Sequence, residues 1–86
     1  MKHTEIIKAI MRKEGVTLSD IALAIGMAGP SGVSRLISRK NGTIMPTTNI
    51  LDALGYEMVI RPAKKEPLAD NEYVLHFSDY KEEDER

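Results

Sequence analysis

A short run of hydroxyl and guanidinium side chains is the part of this chain whose residue types suit binding to a polyanion. Its members are Ser34, Arg35, Ser38 and Arg39, and no acidic residue lies between them. An arginine presents two parallel N–H donors that match guanine O6 and N7, a contact that discriminates between bases by about 1–3 kcal/mol. Serine hydroxyls bond to phosphates and to several bases with less selectivity. The run therefore predicts a surface that contacts DNA.

We expect this run to lie on a helix, because the surrounding apolar residues predict one. Apolar residues at helical spacing indicate four helices, at about 4–14, 17–26, 30–42 and 47–55, with a loop over 43–46. The helix starts are predicted from residues that favour such positions: Thr17 for the second helix, Pro30 or Ser31 for the third, and Thr47 or Thr48 for the fourth. The helix ends are predicted from Gly15, Gly26, Asn41-Gly42 and Gly55, in chain order. The turn Met27-Ala28-Gly29-Pro30 makes the second and third helices a helix-turn-helix arrangement, which holds one polar helix toward a groove.

Residues 21–54 resemble the lambda-repressor-like, Cro/XRE-type helix-turn-helix family. The matching residues are Ile21-Ala22, Gly26, Val33-Ser34-Arg35-Leu36, Asn41-Gly42, Pro46, Leu51 and Ala53-Leu54-Gly55. The resemblance extends over roughly residues 4–55. It implies a mainly α fold, a lambda-repressor-like domain of four to five helices over residues 1–55. It also implies a sequence-specific transcriptional regulator, expected to be a repressor that occupies a promoter without chemistry on the DNA.

The same resemblance assigns roles to individual residues. The third helix would enter the major groove and the second would lie across the backbone. Base edges would be met by Pro30, Ser31, Ser34 and Arg35, and phosphates by Arg39, Lys40, Asn41, Thr43, Thr17 and Ser19. The turn is one residue longer than the family pattern, and proline, serine and glycine replace the long polar residues at the front of the third helix. Arg35 is therefore the one strong base reader that we expect.

After residue 55 the spacing of the apolar residues changes from the helical pattern to the alternation that is typical of strands. Residues 56–61 and 73–77 are predicted strands, forming a β-hairpin or paired strands in an appendage over residues 56–78. Two strands alone are marginal in water, so they must cover the helical body or a second copy. Because some members of the family pair such strands between subunits, the resemblance implies a homodimer. Tyr56, Met58, Val59 and Ile60 are the expected dimerisation residues, and residues 79–86 are expected to form a solvated acidic tail.

The charge distribution also favours a nucleic-acid partner, although the formal net charge is -1. Residues 1–65 carry ten basic and five acidic side chains, whereas residues 66–86 carry two basic and eight acidic ones. A basic body joined to an acidic tail is a hint of a nucleic-acid partner, double-stranded DNA here, and the alternative is a tail that serves solubility. The tail also suggests an alternative: a small protein-interaction module, antitoxin-like or another regulatory partner, acting through the C-terminal strands and the tail.

Other classes of function have little support in the sequence. The chain has no cysteine, and His3 and His76 are far apart, so we expect no metal site and no cofactor. The serines have no histidine or lysine base at a defensible spacing, so we expect no catalytic residues and no enzyme. Charges interleave with the apolar residues at the start, MKHTEIIKAIMRKEG, so we expect no signal peptide there, and no later apolar segment is long enough to span a membrane. These patterns predict a cytoplasmic protein with an aliphatic core and no membrane partner.

Overall fold

Four helices and one short 3-10 turn form the regular structure of this computed structural model, which describes residues 1–39, 43–63 and 67–80. They are α1 (His3–Glu14), α2 (Leu18–Ile25), α3 (Pro30–Ser38), α4 (Ile44–Ala53) and the 3-10 turn Phe77–Asp79. The prediction of a mainly helical domain with four helices is therefore confirmed. The predicted end of α3 at Asn41-Gly42 lies outside the described residues, and α3 itself ends at Ser38.

The predicted signals at the ends of α1 and α2 are those that the structure uses. Gly15 and Gly26 follow these helices with φ values of 69° and 81°, a left-handed conformation that favours glycine. Thr17 is the N-cap of α2, and its Oγ1 accepts a hydrogen bond from the backbone N–H of Asp20 at 3.1 Å. The Asp20 carboxylate accepts in return from the backbone N–H of Thr17 at 2.9 Å. This reciprocal pair fixes where α2 begins.

The capping carboxylate makes stability depend on pH. Hydrogen bonds from the Thr17 backbone N–H and then from its side chain hold the pKa of Asp20 below its ordinary value. A lowered folded-state pKa contributes stability above the unfolded pKa of about 3.9, and that stability is lost as the pH falls through the folded pKa. We expect Asp20→Asn to lower the urea midpoint at pH 7 and to lower it less at pH 3. Asp52→Asn, at another exposed carboxylate, is the control, and an equal loss at both pH values for Asp20→Asn would contradict the assignment.

The predicted start of α4 is wrong. The helix begins at Ile44, and Thr43 is its N-cap, with extended backbone angles of φ −138° and ψ 149°. The first helical hydrogen bond runs from the N–H of Thr47 to the carbonyl of Thr43 at 3.1 Å. Pro46 lies in the first turn, where backbone N–H groups have no partner within the helix, so its missing N–H removes no helical bond. The predicted loop over 43–46 is therefore mostly the first turn of a helix.

All four helices contribute to one aliphatic core. α3 contacts α1, α2 and α4, and α2 also packs on α4. The buried apolar side chains are Ile6, Ile7, Ile10, Ile21, Ala22, Val33, Ile37, Ile50, Leu51 and Leu54. Because α3 lies at the centre of these contacts, its inner side is fixed by packing, and its outer side is left for other partners.

The predicted β-hairpin does not form between residues 56–61 and 73–77. No strand occurs in the part of the chain that the structure describes, and residues 73–76 belong to no regular element there. Residues 73–80 are here called the C-terminal strap. The Tyr73 ring lies 6.5 Å from the Tyr56 ring, and the Val74 carbonyl accepts from the N-terminal ammonium at 3.2 Å. Contacts with Tyr56 and with the N-terminus therefore replace the predicted strand pairing.

The expectation of a solvated end from residue 79 is wrong for Asp79 and Tyr80. The Asp79 carboxylate accepts from the N-terminal ammonium at 2.8 Å and from the backbone N–H of His76 at 2.7 Å. The ammonium, and next the His76 N–H, hold the pKa of Asp79 below its ordinary value. Tyr80 stacks on His3. The remaining predicted tail residues, 81–86, lie outside the described residues.

Candidate nucleic-acid interface

The relation between α2 and α3 is the geometry on which a DNA-reading role depends. The two helices are joined by the four residues 26–29, and their axes bend by 96°. A helix-turn-helix pair has a short, glycine-containing turn and an angle of about 90–120°. Ile21 and Ala22 of α2 and Val33 and Ile37 of α3 are buried in the common core. This packing presents the opposite side of α3 to solvent.

Membrane insertion has only weak support in these helices. Within residues 1–39, 43–63 and 67–80, no single helix is long and apolar enough to cross a membrane. Only α2 and α3 taken together reach that length and composition, and they are bent at their junction.

The outer side of α3 carries most of the predicted base and phosphate contacts. Pro30, Ser31, Arg35, Ser38 and Arg39 are all exposed. Residues four apart share a helix face, so Ser31 and Arg35 lie one above the other, and Arg39 follows in the same direction after the helix ends. The structure thus brings two guanidinium groups and a hydroxyl to one side of the domain.

Ser34 departs from the predicted arrangement. Its side chain is half-buried and lines a small cleft of about 140 Å³ between α1, α2 and α3. Lys8 and Met11 of α1 lie on the other side of this cleft. Ser34 therefore faces its own scaffold more than the exposed side that carries Arg35.

The N-terminus of α2 is less suited to phosphate than the sequence predicted. Thr17 and Ser19 are exposed there, but the Thr17 backbone N–H already donates to Asp20. The Asp20 carboxylate also places negative charge at this helix end, which opposes the approach of a phosphate. Ser19 keeps an exposed hydroxyl, so it is the stronger of the two predicted phosphate contacts.

The predicted contacts after α3 are only partly described. Thr43 is exposed, and its hydroxyl makes no capping bond to α4. Lys40 and Asn41 lie outside the described residues. Thr43 is therefore the one residue of this loop that the structure places on the surface near the start of α4.

An apolar groove beside α3 was not predicted. It has a volume of about 820 Å³ and is open to solvent. Its walls come from the end of α2, from α3, from α4 and from residues 56–58; they include Ile25, Met27, Leu36, Met45, Pro46, Tyr56 and Met58. The sequence did not predict the groove, because residues 43–46 were predicted to be loop. The apolar side chains of Ile44 and Met45 were therefore not expected at the start of a helix.

A second group missed by sequence reasoning is polar and buried. The His3 side chain is 6% exposed, and its two ring nitrogens lie near the Tyr80 hydroxyl and the Arg39 carbonyl. His3 has the helical spacing of Ile6, Ile7 and Ile10, which indicates that its side chain lies on the inner face of α1. Nothing in the sequence pairs it with Tyr80, because the two residues are 77 positions apart.

The described residues offer little to a metal ion. They contain no group of three or more histidine, cysteine, aspartate or glutamate side chains that could hold one. Both nitrogens of His3 already have hydrogen-bond partners.

Comparisons with family models, with curated proteins and with solved structures each found no match to this chain. The resemblance to the Cro/XRE-type family therefore stays a prediction from the residues quoted above. The geometry of α2 and α3 is therefore the observation that bears on function.

Proposed function

We propose that this protein is a sequence-specific DNA-binding transcriptional regulator, a repressor that reads the major groove with α3. The observation that carries the proposal is the 96° junction of α2 and α3, which leaves Arg35 exposed on the outer side of α3. A helix presented in this way can enter the major groove while the preceding helix crosses the backbone. Such a protein represses by occupying a promoter.

The electrostatics of α3 support this role. Neither Arg35 nor Arg39 forms an ion pair within residues 1–39, 43–63 and 67–80. Both guanidinium groups therefore keep their donors for an external anion. Arg35 is suited to bidentate recognition of a guanine, and Arg39, just past the helix end, to phosphate.

We include a homodimer in the proposal. Met58, Val59 and Ile60 are 50%, 68% and 101% exposed, and they follow Tyr56 in a segment without a neighbouring strand among the described residues. Pairing of this segment with its copy would form a strand ladder between two chains and would cover these apolar side chains. A two-fold dimer also places two recognition helices about 34 Å apart, as one turn of DNA requires.

The direct test is selection from a random-sequence duplex library at two salt concentrations, with wild type beside Arg35→Ala. We expect a two-fold symmetric site, bound about 30- to 10,000-fold more weakly by Arg35→Ala because one bidentate base contact is lost in each half-site. Binding should also weaken with salt, because phosphate contacts release counterions.

Arg12→Ala is the matched control, since Arg12 is an exposed arginine near the end of α1. It changes the net charge by the same amount away from α3, so its effect should be small and uniform across sequences. Equal losses for the two variants would contradict base reading by Arg35, and absence of binding to any duplex at low salt would contradict the proposed function.

The groove supports a second candidate, a protein-interaction module whose partner would bind in the groove, which residues 56–58 of the C-terminal part help to line. Three methionines, Met27, Met45 and Met58, line it, and flexible methionine side chains suit adaptable apolar contacts. Under this alternative the wild type would bind no duplex, and crosslinks from Met45 or Met58 positions would reach a protein other than a second copy.

A further inference from the structure

The described residues show no backbone cap at the C-terminal end of α3 like those that end α1 and α2. Those helices are followed by Gly15 and Gly26, whose backbone N–H groups bond back to the last turn. Arg39 follows α3 with φ −56° and ψ 133°, and within the described residues it makes no such bond. The last carbonyls of a helix have no partner within the helix, so donors from another element can hold them.

Two side chains from the first turn of α1 lie at those carbonyls. Thr4 Oγ1 donates to the carbonyl of Ile37 at 2.8 Å. His3 Nε2 lies 3.1 Å from the carbonyl oxygen of Arg39. Because His3 is buried, this second contact is shielded from competing water. The end of α3 is thus held by a different helix.

The two ring nitrogens of His3 face the Arg39 carbonyl and the Tyr80 hydroxyl. The Arg39 carbonyl can only accept, so the contact at Nε2 requires a proton on that nitrogen, and Nε2 is the donor. The Tyr80 hydroxyl oxygen lies 2.7 Å from the backbone nitrogen of His3, from which it accepts, and 2.8 Å from Nδ1 of the same residue. Tyr80 therefore holds the ring from the side opposite the Arg39 carbonyl. The two rings also stack, with centroids 5.7 Å apart and planes at 20°.

We propose that His3 and Thr4 are positioning residues for α3 and that Tyr80, in the C-terminal strap, acts on this helix through His3. The hydroxyl of Tyr80 orients the His3 ring, the Nε2 proton holds the Arg39 carbonyl, and the last turn of α3 is thereby set against α1. That turn follows Arg35 directly and leads into Arg39. The consequence for DNA affinity rests on the proposed function; the coupling to α3 does not.

The experiment compares Tyr80→Phe with Tyr73→Phe in the full chain. Each removes one phenolic hydroxyl from the same strap, but only the Tyr80 hydroxyl contacts His3. NMR at a temperature where both variants are folded would record the His3 ring-nitrogen shifts and the backbone amide shifts of residues 34–39. Duplex affinity for the selected site would be measured in parallel. Thr4→Val, with Thr4→Ser as the rescue that keeps the hydroxyl, tests the second donor independently.

We expect wild type and Tyr73→Phe to share one set of His3 ring-nitrogen shifts, and Tyr80→Phe to change the Nδ1 shift, because that nitrogen loses its hydroxyl partner. The amides of the last turn of α3 should shift in Tyr80→Phe and Thr4→Val and return in Thr4→Ser. Duplex affinity should fall roughly fivefold in the first two variants, in the range of couplings carried by such networks. Equal α3 shifts in Tyr80→Phe and Tyr73→Phe would overturn the proposal. If wild type binds no duplex, the proposed function fails, and the ring-nitrogen and amide shifts still decide the coupling.

Discussion

Ile50→Ala is expected to lower the free energy of unfolding by about 2–5 kcal/mol, while Ile44→Ala in the same helix should change it by less than about 0.5 kcal/mol. The Ile50 side chain is 1% exposed in the core between α4 and the other helices, whereas that of Ile44 is 75% exposed. Truncation at Ile50 loses transfer free energy and leaves a cavity. Truncation at Ile44 does neither.

A small domain has little stability to spare, because the net free energy of unfolding is typically about 5–15 kcal/mol. Ile50→Ala should therefore be mostly unfolded in mild urea, and urea titration followed by circular dichroism would measure both variants. Similar losses for Ile44→Ala and Ile50→Ala at low protein concentration would contradict the burial described here. A loss for Ile44→Ala that grows with protein concentration would instead indicate that Ile44 is covered in the dimer.

The start of α4 shows why helix positions are easier to predict than helix boundaries. The apolar spacing of Ile50, Leu51 and Leu54 predicted the helix correctly. Its first residue was predicted wrongly because Thr43, Thr47 and Thr48 are chemically equivalent candidates for the N-cap. A proline between them was taken for a loop residue, although a first turn tolerates it. The error of three residues concealed one wall of the apolar groove.

The C-terminal half illustrates a different limit. Alternation in residues 56–61 and 73–77 is the sequence pattern of strands, but a strand exists only with a neighbour to bond to. In this chain Tyr73 packs on Tyr56 and Tyr80 packs on His3, contacts between residues distant in sequence. Alternation alone cannot predict such pairs, because several surfaces accept an aromatic ring equally well.

The candidate site was predictable to the extent that it depends on helical periodicity. Arg35 and Ser38 are exposed because Val33 and Ile37 face the core, and the sequence shows that spacing. The half-burial of Ser34 depends on how closely α1 approaches α3, which is a property of packing. The donors that α1 supplies at the end of α3 required the tertiary structure.

Ending the chain after Glu72 is expected to lower the free energy of unfolding by roughly 2–4 kcal/mol. This deletion removes the partly buried rings of Tyr73 and Tyr80 and the hydrogen bonds that Tyr80 makes with His3. It also removes the carboxylate of Asp79 from the N-terminal ammonium. Under the hairpin prediction, residues 73–77 would have paired with residues 56–61, and the loss would have appeared first in that segment.

Ending the chain after Tyr80 is the matched control, since it removes the acidic residues 82–85 and keeps every strap contact described here. Its urea midpoint should stay close to that of wild type. Hydrogen exchange also distinguishes a strap from a hairpin, because it shows which residues lose protection. In the chain that ends after Glu72, exchange should accelerate first at the N-terminal turn of α1 and at the end of α3, which His3 and Thr4 join. Acceleration confined to residues 56–61 would show instead that the C-terminal residues stabilise that segment and not the helical body.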